Sequence, residues 1–399
     1  MATKPDPSPA PAPLPQAARR ALTQRLKAQA QALGFDLVGV APCSPPETYP
    51  LYLAWLEKGH HAGMGYMAND RNRGRRADPR RILPQCRSIV VLGVRYAQQA
   101  AAPSPPPHDA RPRGRVAAYA WGDDYHDVLV ERLRRLIAFL EAETGHPVPH
   151  RYYTDTGPVL EREYAVRAGL GWVGKNGMLI HPRLGSYLLL AEILLGLALE
   201  PDSPTVTDHC GTCTRCLEAC PTQAILPNRS VDANRCLSYL TIEHRGVIPP
   251  DLRPRLGDWV FGCDVCQMVC PWNRRAPLWG DPAFAPRPHV PRPVLTEELA
   301  LSPQAFNQKF KGSPIKRAKR RGYLRNVAVA LGNAGDPSTV PALRQGLHDP
   351  EPLIRGHAAW ALGQIHTPEA CAALRQALAD EPDPQVRTEI AQSLRACPG

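Results

Sequence analysis

The sequence predicts an α+β protein in three parts: a mixed helix and strand core, an iron-sulfur module, and an α-helical repeat tail. Three observations carry that expectation. Apolar strand-like runs alternate with amphipathic helical stretches through the first half, eight of twelve cysteines fall between positions 210 and 270, and an arginine-led, alanine-rich pattern recurs near the end. The parts divide as a disordered proline-rich tail at 1–17, a first domain at 18–200, a cysteine module at 201–295, and a basic segment with repeats at 296–399.

The first domain opens with a helical stretch over 18–34, where Leu22, Leu26 and Leu33 mark an apolar stripe ending at Gly34, followed by a strand over Leu37–Val40. A second strand covers 88–96, and a proline-rich insert at about 100–114 reads as a mobile surface loop. An amphipathic helix over 125–143, a helix over 161–168 and an apolar core element over 187–199 complete the domain. That last run is broken by Glu192 and is too short to cross a bilayer of about 30 Å as a helix. The N-terminus has no apolar stretch of the kind a secretory signal needs, which places the protein in the cytoplasm. With 45 prolines confined to tails and joints, the chain is neither collagen-like nor wholly disordered.

The cysteines carry the most specific signal. Cys210, Cys213, Cys216 and Cys220, followed by Pro221, form the C-x2-C-x2-C-x3-C-P run of two-cluster ferredoxins. Two-residue gaps turn three thiolates of one loop toward one cubane, while the fourth faces a second. Cys263, Cys266 and Cys270, followed by Pro271, supply the partner run, and Cys236 upstream supplies its missing ligand. The swapped pattern assigns Cys210, Cys213, Cys216 and Cys270 to one [4Fe-4S] cluster and Cys220, Cys236, Cys263 and Cys266 to the other. Two zinc sites would leave the paired Cys-Pro endings unexplained. Cys43, Cys86, Cys371 and Cys397 read as simple thiols.

The tail repeats Arg325-Asn-Val-Ala-Val-Ala-Leu-Gly, Arg355-Gly-His-Ala-Ala-Trp-Ala-Leu-Gly and Arg387-Thr-Glu-Ile-Ala-Gln-Ser-Leu, 30 and 32 residues apart. Asp336-Pro, Asp349-Pro and Asp383-Pro mark turns, so the pattern is that of HEAT-like helical repeats. Between Asn307 and Arg325, eight cationic side chains occur with no carboxylate. An unbalanced run beside a repeat surface favours phosphate, as does an overall excess of 48 basic over 37 acidic residues. Without a major-groove reading motif, RNA is the more natural partner.

In the first domain, Gly169-Leu-Gly171-Trp-Val-Gly174 matches a dinucleotide fingerprint but follows a helix, which excludes that reading and leaves a tight turn presenting Lys175 and Asn176. Asp155 lies between aromatic residues and a proline turn, where a partly desolvated carboxyl could act as a general acid. An aspartate capping the following helix is an equally good account.

Taken together, Tyr119-Ala-Trp-Gly-Asp-Asp-Tyr-His, Asp155-Thr-Gly-Pro-Val-Leu-Glu, Gly169 to Asn176, the eight cysteines, Cys236-Leu-Ser-Tyr-Leu-Thr-Ile-Glu and Gly312-Ser-Pro-Ile-Lys-Arg-Ala-Lys-Arg-Arg resemble the epoxyqueuosine reductases, from about residue 20 to the end. The resemblance implies a nitroreductase-like domain that holds cobalamin, two [4Fe-4S] clusters that feed it electrons, and a tRNA whose epoxyqueuosine is reduced to queuosine at the wobble position. It implies that Asp155 is the proton donor and that Arg76, Tyr119, Trp172, Lys175, Asn176 and Ser238 lie about cobalamin. His244, Arg245, Lys316, Arg317, Lys319, Arg320 and Arg321 are the candidate tRNA contacts, supported independently by charge. The enzyme would act as a monomer supplied by an external low-potential electron donor. Two competing readings are a corrinoid reductive dehalogenase, which has no need of a basic repeat tail, and a non-catalytic electron carrier, which would bind no cobalamin.

Overall fold

The computed structural model describes residues 15–102, 109–395 and 397. The expected tail therefore lies almost wholly outside the described residues, as does the centre of the insert. The insert's second half is tied down rather than mobile: Asp109 pairs with Arg111 and Arg113, and Gly114 N–H donates to Pro293 O at 2.8 Å.

Four strands make the central sheet: β1 (Leu37–Pro42), β2 (Ser88–Arg95), β3 (His150–Tyr153) and β4 (Leu188–Leu195). Their order is β1-β2-β4-β3, antiparallel throughout. Because side chains alternate along a strand, Val90, Leu92, Ala191 and Ile193 face one core while Ile89, Val91 and Leu194 face another. The first face is covered by helices Gln16–Ala32 and Tyr125–Thr144 through Leu22, Leu26, Leu129, Leu133 and Leu136. The longer helix starts where the Asp124 carboxylate accepts from His126 N–H at 3.0 Å and stops at Gly145, whose φ of 72° few other residues tolerate. Helix Glu161–Arg167 covers the second face through Tyr164 and Ala165.

The glycine-rich turn serves a hairpin, Trp172–Val173 paired with Leu179–Ile180. Gly171 has φ 146°, and a Cβ there would lie 2.2 Å from Ile180 O. Close backbone approach, rather than nucleotide binding, explains that glycine.

The cysteine module has little regular structure beyond short helices Arg215–Ala219, Leu237–Ile242 and Val265–Met268. It is stitched to the first domain by the parallel pair Arg115–Val116 and Trp259–Phe261 and by Asp264, whose carboxylate accepts from Ala118 N–H and Gln99 Nε2.

The repeats fold as helices Lys319–Ala334, Val340–Gly346, Pro352–Ile365, Pro368–Asp380 and Pro384–Leu394. Their leading arginines are internal ties. The fully buried Arg325 guanidinium donates to the carbonyls of Leu240, His244 and Gly246, and Arg355 pairs with Glu381. One apolar cluster runs from Leu26 through Leu240 and Phe261 to Ile354 and Ile390, so the three parts share a core. Two expected thiols are not free: Cys371 and Cys397 form a disulfide, joining helix Pro368–Asp380 to the segment after the last helix.

Candidate active site and cluster centres

The folding of the two cysteine runs turns the thiols into two neighbouring groups. Cys213, Cys216 and Cys270 each lie beside Cys210 or one another, and with Cys210 they border a cavity of about 450 Å³. Cys263 neighbours Cys220 and Cys236, and Cys266 neighbours Cys236 and Cys263. Cys216 is close enough to Cys266 to raise its thiol further, which sets the groups side by side. Burial is the main cause of the raised thiols, and crowding of like charges adds to it. Held as thiolates, the two groups would need a compensating cationic centre. Cys210, Cys213, Cys216 and Cys270 offer an all-sulfur donor set around an open cavity, which fits a cubane. Cys220 Sγ also accepts from Ala224 N–H at 3.3 Å, a contact of the kind that tunes cluster potential.

Trp172, Lys175 and Asn176, expected about cobalamin, lie beside the first thiol group. Lys175 Nζ donates to the carbonyls of Gly211 and Cys213 at 2.7 and 3.0 Å, and Asn176 lines the thiol cavity. Trp172 packs edge-on to His209 and Trp272, 4.8 and 5.0 Å away. The turn that presents them crosses over the first cysteine loop, a placement that sequence separation hides.

Asp155 sits on the loop between β3 and the helix Glu161–Arg167, with φ 58°, and its carboxylate accepts from Tyr125 Oη at 2.9 Å. It is exposed rather than desolvated. Nor does it cap the helix, whose N-terminal neighbour is Leu160; its backbone N–H instead donates to Glu161 Oε1 at 2.9 Å. Burial lifts the Tyr119 and Tyr125 phenols far above their usual range, and the nearby Asp155 charge lifts them further. Tyr119 touches Tyr125 and Phe261, at 6.1 Å between ring centres in both cases, and so spans the gap from Asp155 to the loop that begins at Cys263. Ser238 lies two residues past Cys236 on the short helix Leu237–Ile242, beside the second thiol group.

Tyr66, which sequence reasoning missed, stands 49% exposed within electrostatic reach of Asp155, Glu243, Arg317 and Arg76. An exposed aromatic beside the acid is a natural surface for a base or a flat cofactor. Arg76 is buried with its guanidinium over the Tyr52 ring at 5.5 Å, and its Nη1 has no partner among the described residues. An orphaned buried cationic donor fits the amides or phosphate of a cobalamin.

The basic run divides sharply. Arg317 is held by Glu243 at 2.6 and 2.9 Å, Arg320 by Asp349 and by Leu301 O, Lys309 by Glu298, and Arg325 by carbonyls. Lys311, Lys316, Lys319 and Arg321 are exposed and enter no ion pair among the described residues. Lys316 and Lys319 border a basic cleft of about 330 Å³ with Phe306 and Asn307. Of the other expected contacts, Arg245 donates to Arg317 O at 2.8 Å, and His244 Nε2 lies 2.9 Å from Val247 O. Both sit where the repeat tail meets the Asp155 side.

Comparison with known proteins follows the same geography. A model described as "Epoxyqueuosine reductase QueG, DUF1730" matches residues 76–156, a 4Fe-4S double cluster binding domain matches 209–273, and HEAT repeats match 318–395. The epoxyqueuosine reductase of Xanthomonas campestris is 40% identical over 342 residues, covering 85% of this chain and 95% of its own length. The chain belongs to the epoxyqueuosine reductase family. The Escherichia coli enzyme of that name is 38% identical over 351 residues, covering 88% and 91% of the two chains. A crystal structure of epoxyqueuosine reductase with an epoxyqueuosine-modified tRNA-Tyr stem loop superposes with TM-score 0.87 at 34% identity, covering 94% of this chain and 98% of that one. Membership makes the chain an oxidoreductase, with [4Fe-4S] clusters and cobalamin as its cofactors. No helix among the described residues is long and apolar enough to cross a membrane.

Proposed function

We propose that this protein reduces epoxyqueuosine to queuosine at the wobble position of tRNA, with Asp155 as proton donor. The reaction takes two electrons and two protons, opens both C–O bonds of the epoxide and releases water. The observation that carries the reading is the exposed Asp155 carboxyl, held by Tyr125 and joined through Tyr119 to the Cys263 loop.

Cys210, Cys213, Cys216 and Cys270 would hold the outer cluster, reached from solvent through a cavity that Arg215, Arg274 and Arg275 rim. An external low-potential donor delivers electrons there. Cys220, Cys236, Cys263 and Cys266 would hold the inner cluster. Arg76 and Tyr119 would hold cobalamin, whose reduced cobalt supplies electrons to the substrate. Tyr125 fixes the Asp155 carboxyl so that its proton meets the leaving oxygen. Lys311, Lys316, Lys319 and Arg321 take the phosphates of the anticodon arm, and Tyr66 offers a face to the inserted base. The enzyme works as a monomer in the cytoplasm.

Asp155→Asn, purified anaerobically with cobalamin, tests the assignment. Conversion of epoxyqueuosine-containing tRNA should stop while iron and cobalt content stay at wild-type levels. Retained conversion would remove Asp155 from the chemistry.

A further inference from the structure

Glu192 is the only ionisable residue in the apolar strand β4, Leu-Leu-Leu-Ala-Glu-Ile-Leu-Leu. In register it lies between Val91 of β2 and Tyr153 of β3. It is completely buried, and neither carboxyl oxygen receives a hydrogen bond from any donor among the described residues. A lone ionised carboxylate at such a position is costly, so it demands either a partner or a proton. The group within its hydrogen-bonding reach is another acid, Glu161, at the start of the helix that packs on the same face of the sheet. Two carboxylates share no donor; the bond between them exists only when at least one is protonated.

Glu161 in turn accepts from the backbone N–H of Asp155 at 2.9 Å. The backbone of the proton donor is thus tied to the carboxyl pair. We propose that Glu161 and Glu192 form a proton store that recharges Asp155 during each turnover. The inference rests on the reading of Asp155 as donor. Opening the epoxide to an alkene and water consumes two protons, and one carboxyl gives one at a time. After Asp155 passes its proton to the departing oxygen, the pair returns one to Asp155 and is refilled from solvent. The two electrons come from the cofactors, so the step needs no further reactant.

Electrostatics agree. Burial and the Asp155 charge push Glu161 up to about 7, and burial with the Glu161 charge pushes Glu192 well above the usual carboxylate range. Arg162 opposes this at Glu161, while the Tyr125 and Tyr153 hydroxyls, neutral in this range, complete the ionisable surroundings. A carboxyl titrating near 7 keeps its proton below neutral pH and loses it above.

Two measurements on the full chain decide the matter. Difference infrared spectroscopy at neutral pH, comparing wild type with Glu192→Gln, should show the carbonyl stretch of a protonated buried carboxyl that disappears in the variant. Its absence overturns the store, whether or not the enzyme turns over. Single-turnover conversion of epoxyqueuosine tRNA, followed from pH 6 to 9, should fall in wild type with a midpoint near 7. Glu161→Gln preserves the acceptor for Asp155 N–H, and should run at least about tenfold slower with that limb gone. Glu192→Gln should move the limb to higher pH, because an amide replaces the stronger carboxyl donor whose hydrogen bond favours ionised Glu161. Wild-type rates and profiles in both variants overturn the proposal. An infrared band without conversion in wild type would instead condemn the assigned reaction and leave the protonated pair standing.

Discussion

Replacing Lys311, Lys316, Lys319 and Arg321 together by alanine should weaken binding of a tRNA anticodon stem loop and flatten its salt dependence. Each phosphate contact contributes a slope of about 0.7 to 0.9 in the logarithm of affinity against the logarithm of salt, so four contacts contribute about 3. Between ~50 and ~200 mM salt, a fourfold change, that slope corresponds to about 60-fold in affinity that the variant no longer gains at low salt. The structure also supplies a control. Arg320 is already committed to Asp349 and Leu301 O and is largely buried, so Arg320→Ala should leave the slope unchanged while lowering stability. Fluorescence anisotropy of a labelled stem loop across a salt series reads both quantities. The reasoning fails if the quadruple variant keeps the wild-type slope, or if Arg320→Ala flattens it as much as the free cations do.

Three further outcomes follow from single contacts. Arg253 is fully buried and holds Glu389 through two bonds at 2.7 and 2.9 Å, so Glu389→Ala should cost about 3 to 5 kcal/mol by leaving a buried charge alone, seen as a lower urea midpoint. His357 is buried, with Ile248 N–H donating to its Nε2 at 3.3 Å, and burial holds its pKa well below the usual 6.5. Its depressed folded value means that the unfolded chain binds the proton first. Stability should therefore fall as pH drops below about 6.5, by up to about 1.4 kcal/mol per unit, and urea titrations of His357→Gln should lack that component. Cys236→Ser should lower iron from about eight to about four per chain, and iron analysis that still finds the full complement would exclude Cys236 as a ligand.

Much of the architecture was legible because local chemistry dictates it. Leucines at helical spacing foretold the helices over 16–32 and 125–144, apolar runs foretold β2 and the core segment that became β4, and Asp383-Pro marked a true helix start, with Asp383 capping Gln385 and Val386. The double-cluster module was readable too, since the C-x2-C spacing is a property of neighbouring residues. Long-range placement was not readable. Nothing near Trp172, Lys175 or Asn176 in sequence announces that their turn crosses the first cysteine loop, and Cys371 gives no local sign of its bond to Cys397.

The basic run shows where sequence stops. Charge counting correctly located a cationic segment, but only the packed repeats decided which cations remain free, because Asp349, Glu298 and Glu243 reach in from other elements. Glu192 was visible as an interruption in an apolar run, yet its meaning depends on Glu161 lying against it. The sequence by itself determined the cofactor chemistry and the succession of elements, since spacing and periodicity are properties of neighbouring residues. The tertiary structure decided which charges are spent within the fold and which stay free, since burial and pairing are set by residues far apart in the chain.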